Sequence, residues 1–225
     1  MIASIWSALY LSLKVAMCAT MINIVVALII AYHLAHRDFK GKNLLDIFLT
    51  LPLVLPPTVM GYYLLVLFGS EGWLGKWLSH LGINLVFTWQ GAVVAATIVS
   101  MPLIIKPARA AFEAVNPQFE DAARTLGISN AGVFFRITLP LAFPGILAGI
   151  LMAFARCLGE FGATLMIAGS IPGKTQTLSI AVYEAVQAGK DTLANELVLL
   201  ISVICMVILY TVQRLGTKHK PQRLR

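Results

Sequence analysis

Charge is scarce in this chain. Of its 225 residues only 12% are charged and 59% are hydrophobic, whereas charged residues make up roughly 25% of an ordinary soluble domain. A soluble fold of this composition would expose too much apolar surface. Cysteine is nearly absent. Cys18, Cys157 and Cys205 all fall inside apolar runs, with neither metal-ligand spacing nor an obvious pairing, and read as small buried hydrophobes. His33, His36, His80 and His219 are scattered with no matching carboxylate or cysteine at ligand spacing, which argues against a metal site. No Ser/His/Asp or paired-carboxylate arrangement stands out, so neither an enzyme nor a cofactor is expected. No basic segment precedes the first apolar stretch, which therefore reads as an uncleaved span. No internal repeat or low-complexity segment divides residues 1–225, which read as a single membrane domain.

What the chain does have is long apolar runs. A helix needs about 20 apolar residues to cross a hydrocarbon core of about 30 Å. Residues 15–32 are uncharged, and the preceding 2–13 are apolar too, with Trp6 and Tyr10 as interface anchors and Lys14 able to snorkel outward. Further runs cover 47–70, 81–105, 137–155 (continuing past Arg156 and Glu160 towards 168) and 197–213. The expectation is an all-α polytopic protein of five transmembrane helices. Outer loops are expected at about 70–87 and 169–196, and residues 177–187 form a helix packed at the outer surface.

Five spans put the termini on opposite sides, and Lys and Arg choose the orientation. With the N-terminus outside, Arg37, Lys40, Lys42, Lys106, Arg109, Arg124, Arg136, Arg214, Lys218, Lys220, Arg223 and Arg225 are cytoplasmic, and only Lys76, Lys174 and Lys190 are outside. This asymmetry accounts for the net charge of +7 without nucleic acid. The basic tail 218–225 reads as a topology anchor on anionic lipid.

The cytoplasmic loop, about 108–140, is not built as a passive connection. Asn116 and Pro117 are a helix-start pair. Glu120 and Asp121 suit the positive end of that helix. Gly127 is placed to stop it in a left-handed conformation, Ser129 to cap a second short helix, and Pro140 to bend the chain before the next span. Phe119, Leu126, Ile128, Val133, Phe134 and Phe135 on these helices need a cover. An amphipathic hairpin lying on the membrane needs only periodicity. Here Asp121-Ala122-Ala123, three residues, Gly127, nine residues, Ile137-x-Leu139-Pro140 recur at fixed spacing. That pattern resembles the EAA loop of bacterial ABC-importer permeases. The resemblance implies that the loop docks into a cleft of a cytoplasmic ATPase, with Asp121 where the family has Glu and Glu120 one position earlier.

Two further stretches point to a transport path. Pro52, Pro56, Pro57 and Gly61 interrupt the second run, and discontinuous helices mark transport sites. Met101-Pro102 and Pro107 make the same point more weakly. In the fourth run Arg156 and Glu160, four residues apart, are expected to share a helix face and pair, either along a water-filled path or as a structural ion pair. Gly159 and Gly162 allow close helix approach. LPLVLPPTVMGY, LGEFGAT and GSIPGKTQTLSIAVY resemble the molybdate branch of the sulfate/molybdate/tungstate permeases over nearly the whole chain. The resemblance implies a type I importer permease acting as a homodimer, with two ABC ATPase subunits and an external oxyanion-binding protein in a bacterial inner membrane. Tungstate and sulfate are the alternative substrates. GSIPGKT itself is one residue too short between its glycines for a phosphate-binding loop and reads as an outer turn. An ion-coupled carrier would need its own intramembrane acids, and only Glu160 is available.

Overall fold

The computed structural model describes residues 2–217, with side-chain surroundings for 5–211. The basic tail 218–225 and the side chain of Arg214 lie outside the described residues. Regular structure within them is helical: α1 (Ile2–His36), α2 (Lys42–Val54), α3 (Pro57–Phe68), α4 (Trp73–His80), α5 (Trp89–Ser100), α6 (Pro102–Glu113), α7 (Pro117–Thr125), α8 (Asn130–Val133), α9 (Leu139–Leu158), α10 (Gly162–Ala168), α11 (Leu178–Gln187) and α12 (Asp191–Thr217). A π-helical turn, Phe134–Thr138, joins α8 to α9.

Three helical stretches are long and apolar enough to cross a membrane singly: Ile5–His36, Asn130–Leu158 and Asp191–Thr211. Two bent pairs, α2 with α3 and α5 with α6, bring the number to five if each pair is one crossing. α1 takes in both the uncharged run 15–32 and the apolar 2–13 before it as one helix. Its 35 residues reach about 52 Å at ~1.5 Å per residue, so both ends project beyond the apolar slab. Trp6 and Tyr10 are exposed near one end. Lys14 does not simply snorkel: its ammonium sits 3.6 Å over the Trp89 ring, a cation–π contact that keeps the charge beside α5.

α1 is the central post, with α5, α6 and α9 packed around it. The contacts are made by small side chains. Ala16, Ala19, Ala27, Ala31, Ala92, Ala95, Ala108, Ala153 and Ala163 are fully buried. In lipid, where helices gain little from hiding apolar surface, close backbone approach supplies the attraction. One polar knot crosses this core: Asn23 of α1 donates from Nδ2 to Thr97 O (3.0 Å) and to Ser100 Oγ (2.9 Å). Ser100 and Thr97 also donate back to Ala96 O and Val93 O of their own helix, a pattern that bends helices. The bend at Met101-Pro102 is 41°.

The second run departs from expectation. Instead of one kinked span over 47–70, helix begins at Lys42 and breaks at Leu55-Pro56, and α2 and α3 meet at 113°. A residue before proline is pushed out of the helical region. Leu55 and Pro56 both precede a proline, and both are extended, at ψ 142 and 136. The third run conforms: 81–88 are not helical and α5 starts at Trp89. α4, carrying exposed Trp73 and Trp77, was not foreseen within the loop expected at about 70–87. The polar stretch expected at 169–196 is also shorter, because α12 begins at Asp191. α11 lies where a helix was anticipated and packs on α1 and α12. The GSIPGKT segment is a turn: the Lys174, Thr175 and Gln176 amides donate to Ile171 O, and Gly173 has φ +76.

Candidate coupling surface and transport path

The segment 116–140 folds locally as its sequence dictates. The Asn116 side chain accepts from the Gln118 amide at 3.0 Å, Pro117 opens α7, and Gly127 leaves it with φ +80. Ser129 accepts from the Gly132 amide and starts α8. The second helix is not a separate short one, however. It runs through the π turn into α9, so 130–158 is continuous. Pro140 explains the turn. In a regular helix its ring would meet the carbonyl four residues back. Here Leu139 N–H reaches Phe134 O, five residues back, and the widened turn admits Pro140 without a break.

The two acidic residues face opposite ways. Glu120 is 6% exposed. It accepts from Thr138 Oγ1 at 2.5 Å and from Arg124 Nη2 at 3.2 Å, and lies 3.5 Å from His36 Nε2 at the end of α1. Asp121 is exposed and pairs with Arg124 Nη1 at 2.8 Å. Burial pushes the Glu120 pKa up. The Thr138 hydroxyl, the His36 charge and the bonds from Arg124 and His36 outweigh it and hold the carboxyl below its ordinary 4.5. Ala123 and Val133 are buried, and Phe134 packs between Tyr32 and Phe112. Phe119, Ala122 and Leu126 stay exposed, three and four residues apart on one face of the segment, with Leu126 81% exposed. Phe135 is exposed too. Ile137 and Leu139 are half-buried and Pro140 is exposed.

Far along α9 the second group assembles. α9 ends at Leu158, with Gly159 as its exposed C-cap. Arg156 and Glu160 therefore do not share a helix face; they bridge a break. Arg156 Nη1 lies 2.6 Å from Glu160 Oε2. Glu160, 2% exposed, accepts the Ala163 amide through Oε1 at 2.9 Å, which caps α10. Gly159 makes no close approach: a Cβ there would meet nothing nearer than 3.9 Å. Gly162 does, since a Cβ would fall 2.8 Å from Pro57 Cβ and 3.2 Å from the Thr58 amide. A Cβ on Gly61 would meet Ala163 Cα at 2.8 Å. The break before α10 thus rests on the break before α3. Pro57 and Pro56 are exposed and Pro52 is half-buried in the single protomer.

Residues 23–225 match the family described as binding-protein-dependent transport system inner membrane component. The chain belongs to that family. It is therefore a multi-pass inner membrane permease component of a transport system that works with a binding protein, and its role is transport, not catalysis. It is 45% identical over 206 residues, 91% of this chain and 90% of the relative, to the molybdenum transport system permease protein ModB of Escherichia coli (strain K12). To the sulfate transport system permease protein CysT of the same organism it is 33% identical, over 90% of this chain and 73% of the relative. Its fold matches a chain of a bacterial ABC transporter that imports the acidic polysaccharide alginate, at TM-score 0.78 and 15% identity, covering 96% of this chain and 79% of that one.

Sequence reasoning placed the caps and the glycine of the permease's coupling segment but missed the His36–Glu120–Thr138 tie. No local pattern signals a contact between Glu120 and His36, 84 positions apart, or a bond from Thr138 to Glu120, 18 positions apart. Thr138→Val removes the shortest bond to a buried carboxylate and should ease local opening of α7 by about 1–3 kcal/mol. Limited proteolysis of membranes should then cut within 116–127 faster than in the unaltered protein. Because the Glu120 pKa is depressed, the bonds its carboxylate accepts from Thr138 and Arg124 are fully present above pH 4.5 and are lost as pH falls through the lower folded value. Cleavage of the unaltered protein should accelerate on that acid side.

Proposed function

We propose that this chain is the membrane subunit of an ATP-driven molybdate importer, assembled as a homodimer with two cytoplasmic ATPases and an external oxyanion-binding protein. The observation that carries the substrate is the 45% identity to a molybdenum permease along nearly the whole chain, against 33% to a sulfate permease. Tungstate, a dianion of the same shape, would pass by the same route, with the binding protein doing the selecting. The N-terminus faces outward and the C-terminus the cytoplasm, in keeping with the Lys and Arg distribution.

The ATPase is met by the face that α7 leaves bare. Phe119, Ala122 and Leu126 enter its cleft, and Asp121 supplies a carboxylate at the rim. Glu120, Ala123, Ile137, Leu139 and Pro140 hold that face at a fixed angle to α9. Closure of the ATPases on ATP moves both coupling segments and opens the path outward. Pro52, Pro56, Pro57, Arg156, Gly159 and Glu160 line or gate the path at the paired helix breaks. The second copy accounts for part of the uncovered surface of α2, which has no buried residue in one protomer.

Gly127→Pro tests the coupling. Proline cannot adopt φ +80 and would remove the Gly127 amide bond to Arg124 O, while an added Cβ meets nothing within 4 Å, so the effect stays in the loop. The variant should insert and bind its ATPase normally but hydrolyse ATP without molybdate uptake; normal uptake would refute the coupling role. For the path, removing Arg156 alone would strand the buried Glu160 carboxylate. The double variant Arg156→Leu/Glu160→Gln avoids this. It should assemble at the normal level and lose most uptake, measured with radioactive molybdate. Retained uptake would make the pair merely structural.

A further inference from the structure

α2 is poorly held. None of its thirteen residues is buried, and Leu44, Ile47, Phe48, Leu51 and Val54 are exposed. On its inner side Leu49 packs beside the Leu34, Ile104 and Ile105 cluster. Next to Leu49 is an acid: Asp46 Oδ2 lies 2.7 Å from Lys106 Nζ, and Oδ1 lies 3.4 Å from Arg109 Nη1, both on α6. Arg109 Nε also donates to Glu113 Oε1 at 2.7 Å. Glu113 ends α6, three residues before Asn116, the cap of the coupling helix. A line of charged contacts therefore runs from Glu113, at the end of α6, through Arg109 to Asp46, and three residues of backbone join Glu113 to the cap of α7. From there α2 leads directly to the Leu55-Pro56 break.

We infer that Asp46 is a positioning residue that hitches the gate helix α2 to α6, so that movement of the coupling segment turns α2 about the Pro56-Pro57 break. Ion pairs this exposed, with Lys106 41% and Asp46 24% accessible, add little to stability. Their value lies in direction: α2 has too little apolar contact to follow α6 without them, and the prolines leave it free to swing. Losing the charge should therefore spare assembly and damage transmission.

The inference rests on the ATP-driven reading above. The test uses the complete complex in proteoliposomes, with the binding protein and molybdate, and reads molybdate taken up per ATP hydrolysed together with the amount of assembled complex. Asp46→Asn and Lys106→Gln should each lower uptake per ATP about tenfold, within the usual range of coupling effects, with assembly unchanged. Asp46→Glu should restore most of it. The double variant should be no worse than Asp46→Asn alone, because that change already removes the Lys106 pair. An unchanged ratio, multiplicative losses in the double variant, or assembly falling in step with uptake would each overturn the hitch. Gly127→Pro in the same vesicles separates the two failures. If it still couples, the coupling role of the loop falls; uptake by the unaltered complex without ATP hydrolysis would sink the ATP-driven reading. If it uncouples while Asp46→Asn does not, only the hitch falls.

Discussion

A backbone break inside a membrane leaves donors and acceptors that no water can meet, and this permease resolves the problem by setting two breaks against each other. At the first, Pro56 and Pro57 have no N–H to strand. At the second, Glu160 accepts the Ala163 amide and Arg156 balances the carboxylate. Gly61 and Gly162 let the two short helices that follow, α3 and α10, touch at backbone distance. Irregular backbone is thereby affordable where a transport path needs it, and the surrounding posts, α1, α5, α6 and α9, stay regular and alanine-packed.

The other end of the bundle uses the opposite device. A single buried carboxylate, Glu120, collects Thr138 from the π turn, Arg124 from its own helix and His36 from α1. Two elements outside α7, the π turn and α1, thus fix its angle. With its acid turned inward, α7 leaves Phe119, Ala122 and Leu126 uncovered. On the proposed role, this apolar face is where the ATPase would push. α6, which leads into the segment, and α9, which leads out of it, both pack on α1, which ties the segment to the centre of the fold.

The parts legible in the sequence were those set by neighbours along the chain. Asn116, Pro117, Gly127 and Ser129 act through bonds two to four residues long, and each does what its type predicts. The prolines at 52, 56 and 57 announced a disturbance, but a pattern of residues carries no angle, and 113° had to be seen. Arg156 and Glu160 were paired correctly and placed wrongly, because Gly159 ends the helix between them. Glu120 was expected among the residues of the coupling loop, but not its inward turn. The partners that turn it inward, His36 and Thr138, are brought to it by the packing of α1 and α9. Asp46 gave no signal at all: a lone acid near the start of an apolar run looks like a surface charge until α6 is laid beside it.

The account depends on the exposed face of α7 lying inside the cell and being covered by an ATPase. Leu126 is 81% exposed and points away from the fold, so cysteine can replace it at little cost, and labelling with a membrane-impermeant maleimide reports its surroundings. In inside-out vesicles lacking the ATPase the site should label readily, adding the ATPase should protect it, and right-side-out vesicles should not label it. Labelling from the outer side, or labelling undiminished by bound ATPase, would contradict the account.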